Sequence, residues 1–213
     1  MNGMDRLHEW DASIPAWMGR FDDVSNPDSL RRQEFAAAAI GLVASRGLEH
    51  LTFRRLAAEM DCSTTTIASL FGDRQGLWLA VYRMTILRTQ ARIREAYVRT
   101  NGSPLACILA QMPVTPQGRE DWAVYLAQNT VAAANPAFQA EYRQQVRYAV
   151  RDFAELLMRE NDFSQQSARR ASRQAFTFLI GTAVQACFEP RSWSARRQEE
   201  FLRHQFELNG IPV

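Results

Sequence analysis

The sequence predicts an all-α fold of about nine helices, and three observations carry that prediction. Apolar residues recur at helical spacing through most of residues 26–208. No stretch shows the alternation of period two that a half-buried strand requires. The breaks between periodic segments hold residues that start or stop helices: "NPD" at 26–28, "RG" at 46–47, "DCS" at 61–63, "GD" at 72–73 and "NG" at 101–102. With 213 residues and a hydrophobic fraction of 46%, the chain is long enough to bury a sizeable core.

The elements follow in order. Asn26 is a capping residue, Pro27 suits the first helical position, and Asp28 places an acid in the first turn. The first helix is expected to run through Phe35, Ile40 and Val43 to Arg46, where Gly47 ends it. Thr52 caps a second helix whose apolar side is Phe53, Leu56, Ala57 and Met60. Ser63 caps a third, with Ile67 and Leu70 facing inward. Asp73 caps a long fourth helix carrying Leu77, Val81, Met84 and Leu87 and ending near Asn101-Gly102. A short helix is expected from Pro104 to about Gln111, then a loop over "MPVTPQG" at 112–118. Helices are expected over 119–134, 136–160, 164–188 and 192–208, with Asn135-Pro136 and Pro190 among the breaks. Residues 1–25 stand apart, because Trp10, Trp17, Met18 and Phe21 show no helical period. They read as an arm, partly docked or disordered.

Composition excludes several chemistries. All 25 basic residues are arginine, so a P-loop and a Schiff-base lysine are ruled out. Cys62, Cys107 and Cys187 have no CxxC spacing, and His8, His50 and His204 are equally scattered. That argues against a disulfide framework or a structural zinc site and suits a reducing cytoplasm. No apolar run is long enough to span a bilayer, and a secretory signal is not expected, since no basic stretch precedes an apolar one at the N-terminus. There is no GxSxG, no HExxH and no glycine-rich phosphate loop, and no cofactor is implied. An enzyme is not expected. The net charge of +2 is uneven: residues 28–100 hold eleven arginines against seven acids, whereas residues 1–27 are acidic.

That mild basic excess contains residues 52–77, "TFRRLAAEMDCSTTTIASLFGDRQGL". Two short helices joined by a tight turn can present the second to the major groove, where base edges differ in donors, acceptors and methyls. Thr64, Thr65, Thr66 and Ser69 are small and fall on the exposed side of the third helix. Threonine hydroxyls reach phosphates or base edges, and threonine methyls pack on thymine methyls.

The pattern over residues 30–81 resembles the DNA-binding domain of the TetR family of bacterial transcriptional regulators. The matching stretches are Arg31-Arg32, "AAAAIGLVASRG", "LTFRRLAAEM", the break ending in Ser63, "TTTIASLF", "GDR" and Leu77 opening the long helix. The resemblance implies a helix-turn-helix DNA-binding domain at 26–80 and a helical effector-binding and dimerisation domain at 81–213. It also implies that Thr52 and Arg74 contact phosphates and that Arg54 reads a base. Arg55 is a neighbouring candidate that could instead pair with Glu59. The sequence departs from the family at Asp61, where glycine is usual, at Ala68, where an aromatic residue is usual, and at Gln75, where glutamate is usual.

The remaining helices imply the other partners. Trp122, Tyr125, Phe138, Tyr142, Phe153 and Phe176, with Gln128, Asn129 and Gln185, are candidates to line a cavity for a small apolar effector; aromatics at this spacing also suit a plain core. Gly181 and Ala183 on one helix, and Trp193, Phe201 and Leu202 on the next, are candidates for a homodimer interface or for the protomer's own core. A dimer would set two recognition helices one DNA turn apart and so prefer a pseudo-palindromic operator in double-stranded DNA. The expected function is a repressor released by its effector. The alternative is an all-helical protein-interaction module on the same scaffold, with weakened DNA binding.

Overall fold

A computed structural model describes residues 25–213. Among them are nine α-helices and no strand. The helices are α1 (Pro27–Arg46), α2 (Phe53–Glu59), α3 (Thr64–Phe71), α4 (Arg74–Arg99), α5 (Pro104–Leu109), α6 (Pro116–Ala132), α7 (Pro136–Asn161), α8 (Gln165–Phe188) and α9 (Ala195–Leu208). A 3-10 turn, Leu48–His50, lies between α1 and α2 and was not legible in the sequence. The arm with Trp10, Trp17, Met18 and Phe21 lies outside the described residues. No described helix is long and apolar enough to cross a membrane.

The caps sit where the sequence places them. Asn26 Oδ1 accepts from the Asp28 N–H at 2.9 Å, and Thr52 Oγ1 accepts from the Arg55 N–H at 3.3 Å. Ser63 Oγ accepts from the Thr66 N–H at 3.1 Å, and Asp73 Oδ1 from the Gly76 N–H at 2.8 Å. Each such cap contributes about 1 kcal/mol. Gly47 ends α1 with φ +87°, a backbone conformation that a side chain disfavours.

Two boundaries differ from expectation. The helix expected from residue 119 starts at Pro116, because Thr115 Oγ1 caps the Gly118 N–H at 3.0 Å and proline suits the first helical turn. The last helix starts at Ala195 rather than 192. Ser194 Oγ caps the Arg197 N–H, and the preceding residues turn back, with the Trp193 N–H on the Glu189 carbonyl at 3.0 Å.

The chain divides into two compact units. One holds residues 25–88 together with 119–142. Its core is Phe35, Ala39, Ile40, Val43, Leu51, Leu56, Ile67, Leu70, Leu77 and Val81, joined by Val124 of α6. Ala127 and Val131 pack against the same core. The unit that contains the short helices therefore takes in more chain than residues 26–80, because an α6 stripe distant in sequence completes its packing. The other unit holds residues 89–118 and 143–213. Its core includes Leu105, Ile108, Phe153, Leu156, Leu157, Leu179 and Phe206. Phe153 packs against Phe176 and Phe206 with ring centroids 6.1 and 6.5 Å apart. Within this unit Ser172 Oγ donates to the Val150 carbonyl at 2.7 Å, and Tyr97 Oη donates to Glu160 at 2.6 Å.

Candidate nucleic-acid interface and effector cluster

The turn between α2 and α3 is built on Asp61, whose φ is +47°. Left-handed backbone costs an L-residue about 1 kcal/mol, less for aspartate than for most. The Cys62 N–H closes the turn on the Ala57 carbonyl at 2.9 Å, and the Ser63 cap starts α3 directly after it. Those two contributions outweigh the strain, so aspartate serves here where glycine is usual. Leu56 and Ala57 of α2 and Ile67 and Leu70 of α3 are buried, which fixes both helices on one core.

With those faces buried, the opposite faces are set. Arg54, Thr64, Thr65 and Ser69 are exposed, and Thr52, Arg55 and Thr66 are half-buried. Thr66 Oγ1 lies 3.0 Å from Ser63 Oγ, and Ser69 Oγ donates to the Thr66 carbonyl at 2.8 Å. These two hydroxyls are therefore engaged locally, and Arg55 Nη1 is buried. Arg54, Thr64 and Thr65 are the side chains most open to an external partner.

Arg74 is engaged within the chain. Its Nη2 donates to the Glu49 carbonyl at 3.0 Å, and its guanidinium lies over the Trp78 ring, 4.7 Å from the centroid. The glycine two residues on is required: a Cβ at Gly76 would collide with the Phe71 carbonyl oxygen, so α3 and α4 meet at this point only without a side chain. No reading of the sequence singled out Gly76, because a close approach between helices leaves no local pattern.

The aromatic candidates Trp122, Tyr125, Phe138 and Tyr142 fall in the same compact unit as the short helices. Trp122 and Tyr125 meet edge to face at 4.9 Å, and Tyr125 and Tyr142 lie 6.2 Å apart with hydroxyls 3.4 Å apart. Phe138 is buried against Trp78 at 5.9 Å. Gln128 is 2% exposed and its Nε2 has no hydrogen-bond partner. Asn129 hydrogen-bonds Tyr125. Tyr82, not anticipated as a site residue, is 1% exposed; burial first, then Tyr125, Glu141 and Tyr142, raise its pKa well above 10.0. Burial also raises Tyr125, assisted by its hydrogen bond to Tyr142.

The surroundings are more charged than an apolar cavity requires. Arg83 grips Glu141 through Nε–Oε1 at 2.5 Å and Nη2–Oε2 at 3.0 Å. Arg88 lies 3.0 Å from Glu120 and 3.2 Å from the buried Asp121. Sequence reading missed these pairs because their members are 58, 32 and 33 positions apart, beyond any helical repeat. Phe153 and Phe176 belong to the core of the other unit, and Gln185 is exposed on α8.

The dimer candidates divide in the same way. Ala183 and Leu202 are 0% exposed within one chain, so they serve its own core and offer nothing to a partner. Gly181 and Phe201 are exposed, and Trp193 packs edge to face on Phe201 at 5.7 Å. Phe188 and Leu208, 74% and 66% exposed, lie on the same two helices. Among the described residues no group of three His, Cys, Asp or Glu side chains is placed to hold a metal ion.

Residues 105–208 match the family described as BetI-type transcriptional repressor, C-terminal. No curated protein matches the chain. Solved structures do. A transcriptional regulator from Rhodococcus sp. Rha1 is 19% identical with a TM-score of 0.73, covering 83% of this chain and 94% of its own. A transcriptional regulator from Saccharomonospora viridis, solved in complex with choline, is 22% identical with a TM-score of 0.69, covering 84% and 96%. A TetR-family transcriptional regulator from Rhodococcus sp. is 14% identical with a TM-score of 0.70, covering 86% and 98%. At these identities the likeness is one of fold.

Proposed function

We propose that the chain is a TetR-family transcriptional regulator, a reading supported by the match of residues 105–208 to the BetI-type repressor family and by the shared fold, and that it acts as a cytoplasmic, homodimeric repressor. It binds a pseudo-palindromic operator in double-stranded DNA and is released by a small effector. The observation that carries the DNA reading is the exposed set Arg54, Thr64 and Thr65, held on two helices whose other faces are buried in one core. Arg54 is the base reader, since a guanidinium fork matches the guanine edge. Thr64 and Thr65 take phosphates or thymine methyls, and the Thr52 hydroxyl, which already accepts the Arg55 N–H, keeps its proton for a phosphate.

The homodimer reading rests on the exposed Phe188, Phe201 and Leu208, with Gly181 allowing close approach on α8. The effector reading rests on Trp122, Tyr125 and Tyr142 with Gln128. Aromatic faces attract an organic cation as well as apolar surface. Choline in the Saccharomonospora viridis relative supports a quaternary ammonium head group over the purely apolar effector expected from the sequence. The test is release: choline is added to the complex of the protein with a duplex selected from a random library. Dissociation that saturates with choline supports this effector class; a complex indifferent to choline removes it.

A further inference from the structure

From the contacts of Arg74 we infer that Arg74 and Trp78 are positioning residues for the reading helices, and that Arg74 does not anchor a phosphate. The inference rests on the DNA-binding reading above. Arg74 reaches back 25 positions to the Glu49 carbonyl, in the 3-10 turn three residues before Thr52, the cap of α2. The same guanidinium lies on the Trp78 ring. Trp78 in turn packs on Phe138 in the first turn of α7, and Phe138 is 1% exposed. The result is a continuous strut, Phe138–Trp78–Arg74–Glu49, that ends at the turn leading into the helix carrying Arg54.

Each joint has a physical basis. A stacked guanidinium keeps its charge and its planar fork, and the neutral carbonyl gives that fork a fixed direction. Trp78 Nε1 is buried without a hydrogen-bond partner, so the ring is held by its faces and not by its polar edge. The 3-10 turn itself is short: the Leu51 N–H bonds the Leu48 carbonyl at 3.1 Å, and the His50 N–H bonds the Gly47 carbonyl at 3.2 Å. A tether from α4 to the Glu49 carbonyl therefore fixes the entry angle of α2. Effector residues share this end of α7: Glu141 and Tyr142 follow Phe138 by three and four positions, on the same side of the helix.

Salt dependence separates positioning from anchoring, because each lost phosphate contact lowers the slope of log K against log salt by about 1. The full-length protein and its Arg74→Met, Trp78→Leu and Trp78→Phe variants are titrated at four salt concentrations against the tightest duplex recovered from a random library by the wild type. Thermal melts of each variant run beside them. Arg74→Met and Trp78→Leu are expected to bind about tenfold more weakly with the wild-type salt slope, and Trp78→Phe, which keeps a ring under Arg74, within about threefold of wild type. Arg74→Met with a slope reduced by about 1 makes it a phosphate anchor and overturns the inference, as does Arg74→Met or Trp78→Leu binding like the wild type. A library that yields no duplex overturns the DNA-binding reading itself, and the strut with it. Arg74 is exposed, so Arg74→Met reports on binding even if Trp78→Leu melts early.

Discussion

Arg83 and Glu141, 58 positions apart, are joined by two parallel hydrogen bonds that tie α4 to the start of α7. The glutamate side chain is only 9% exposed and the arginine 25%. Breaking a buried pair by neutralising one member strands the other charge, at a cost of about 3 kcal/mol. Glu141→Gln is therefore expected to lower stability by about that amount, measured by urea unfolding. A loss within error of zero means the pair is solvated in solution.

Alkaline pH is expected to unfold the protein early. Burial, assisted by Asp152, raises the Cys107 thiol from 9.0 to about 12, and burial also raises Tyr82 and Tyr125. Each group holds its proton more tightly in the folded chain than in the unfolded one. Their contribution to stability is complete below the unfolded values and is lost as pH rises toward the folded ones. Unfolding midpoints are expected to be level to about pH 8 and to fall steadily above it. At pH 8 Cys107 is expected to resist alkylation while Cys62 and Cys187, both half-buried, react first. Equal rates at all three would contradict the burial of Cys107.

Leu202 and Leu208 share α9 but not a role. Leu202 is 0% exposed and Leu208 66%. Leu202→Ala is expected to cost about 2–5 kcal/mol of stability. Leu208→Asp is expected to leave the fold intact and halve the mass seen by light scattering. A Leu208→Asp variant that keeps the dimer mass places the interface elsewhere.

Arg54→Ala is expected to lose discrimination among operator variants at one base position, a change of about 1–3 kcal/mol confined to that position. Binding to a panel of single-base operator variants reads it directly. A uniform loss over the whole panel makes Arg54 a backbone contact.

Much of the fold was legible because caps act locally. Asn26, Thr52, Ser63 and Asp73 each bond an N–H two or three residues on, so the sequence alone places them. Thr115 acts in the same way, but its proline-led turn looked like a loop. The candidate site was less legible, since its decisive contacts are distant in sequence. Nothing near Arg74 announces the Glu49 carbonyl, nothing near Glu141 announces Arg83, and α6 gives no sign that Val124 completes the core under α2 and α3. Helical periodicity placed Ala183 and Leu202 on apolar stripes, yet it does not say whether a stripe faces its own chain or a second copy.

The central claim is sequence-specific DNA binding, and fluorescence anisotropy tests it most directly. The full-length protein is titrated against labelled duplexes from the region flanking its own gene, beside scrambled duplexes of equal length, at two salt concentrations. The account predicts tight binding to a flanking duplex that survives moderate salt, with the scrambled duplex at least a hundredfold weaker. Equal, salt-sensitive binding to both duplexes, together with a random-library selection that recovers no site, would contradict it.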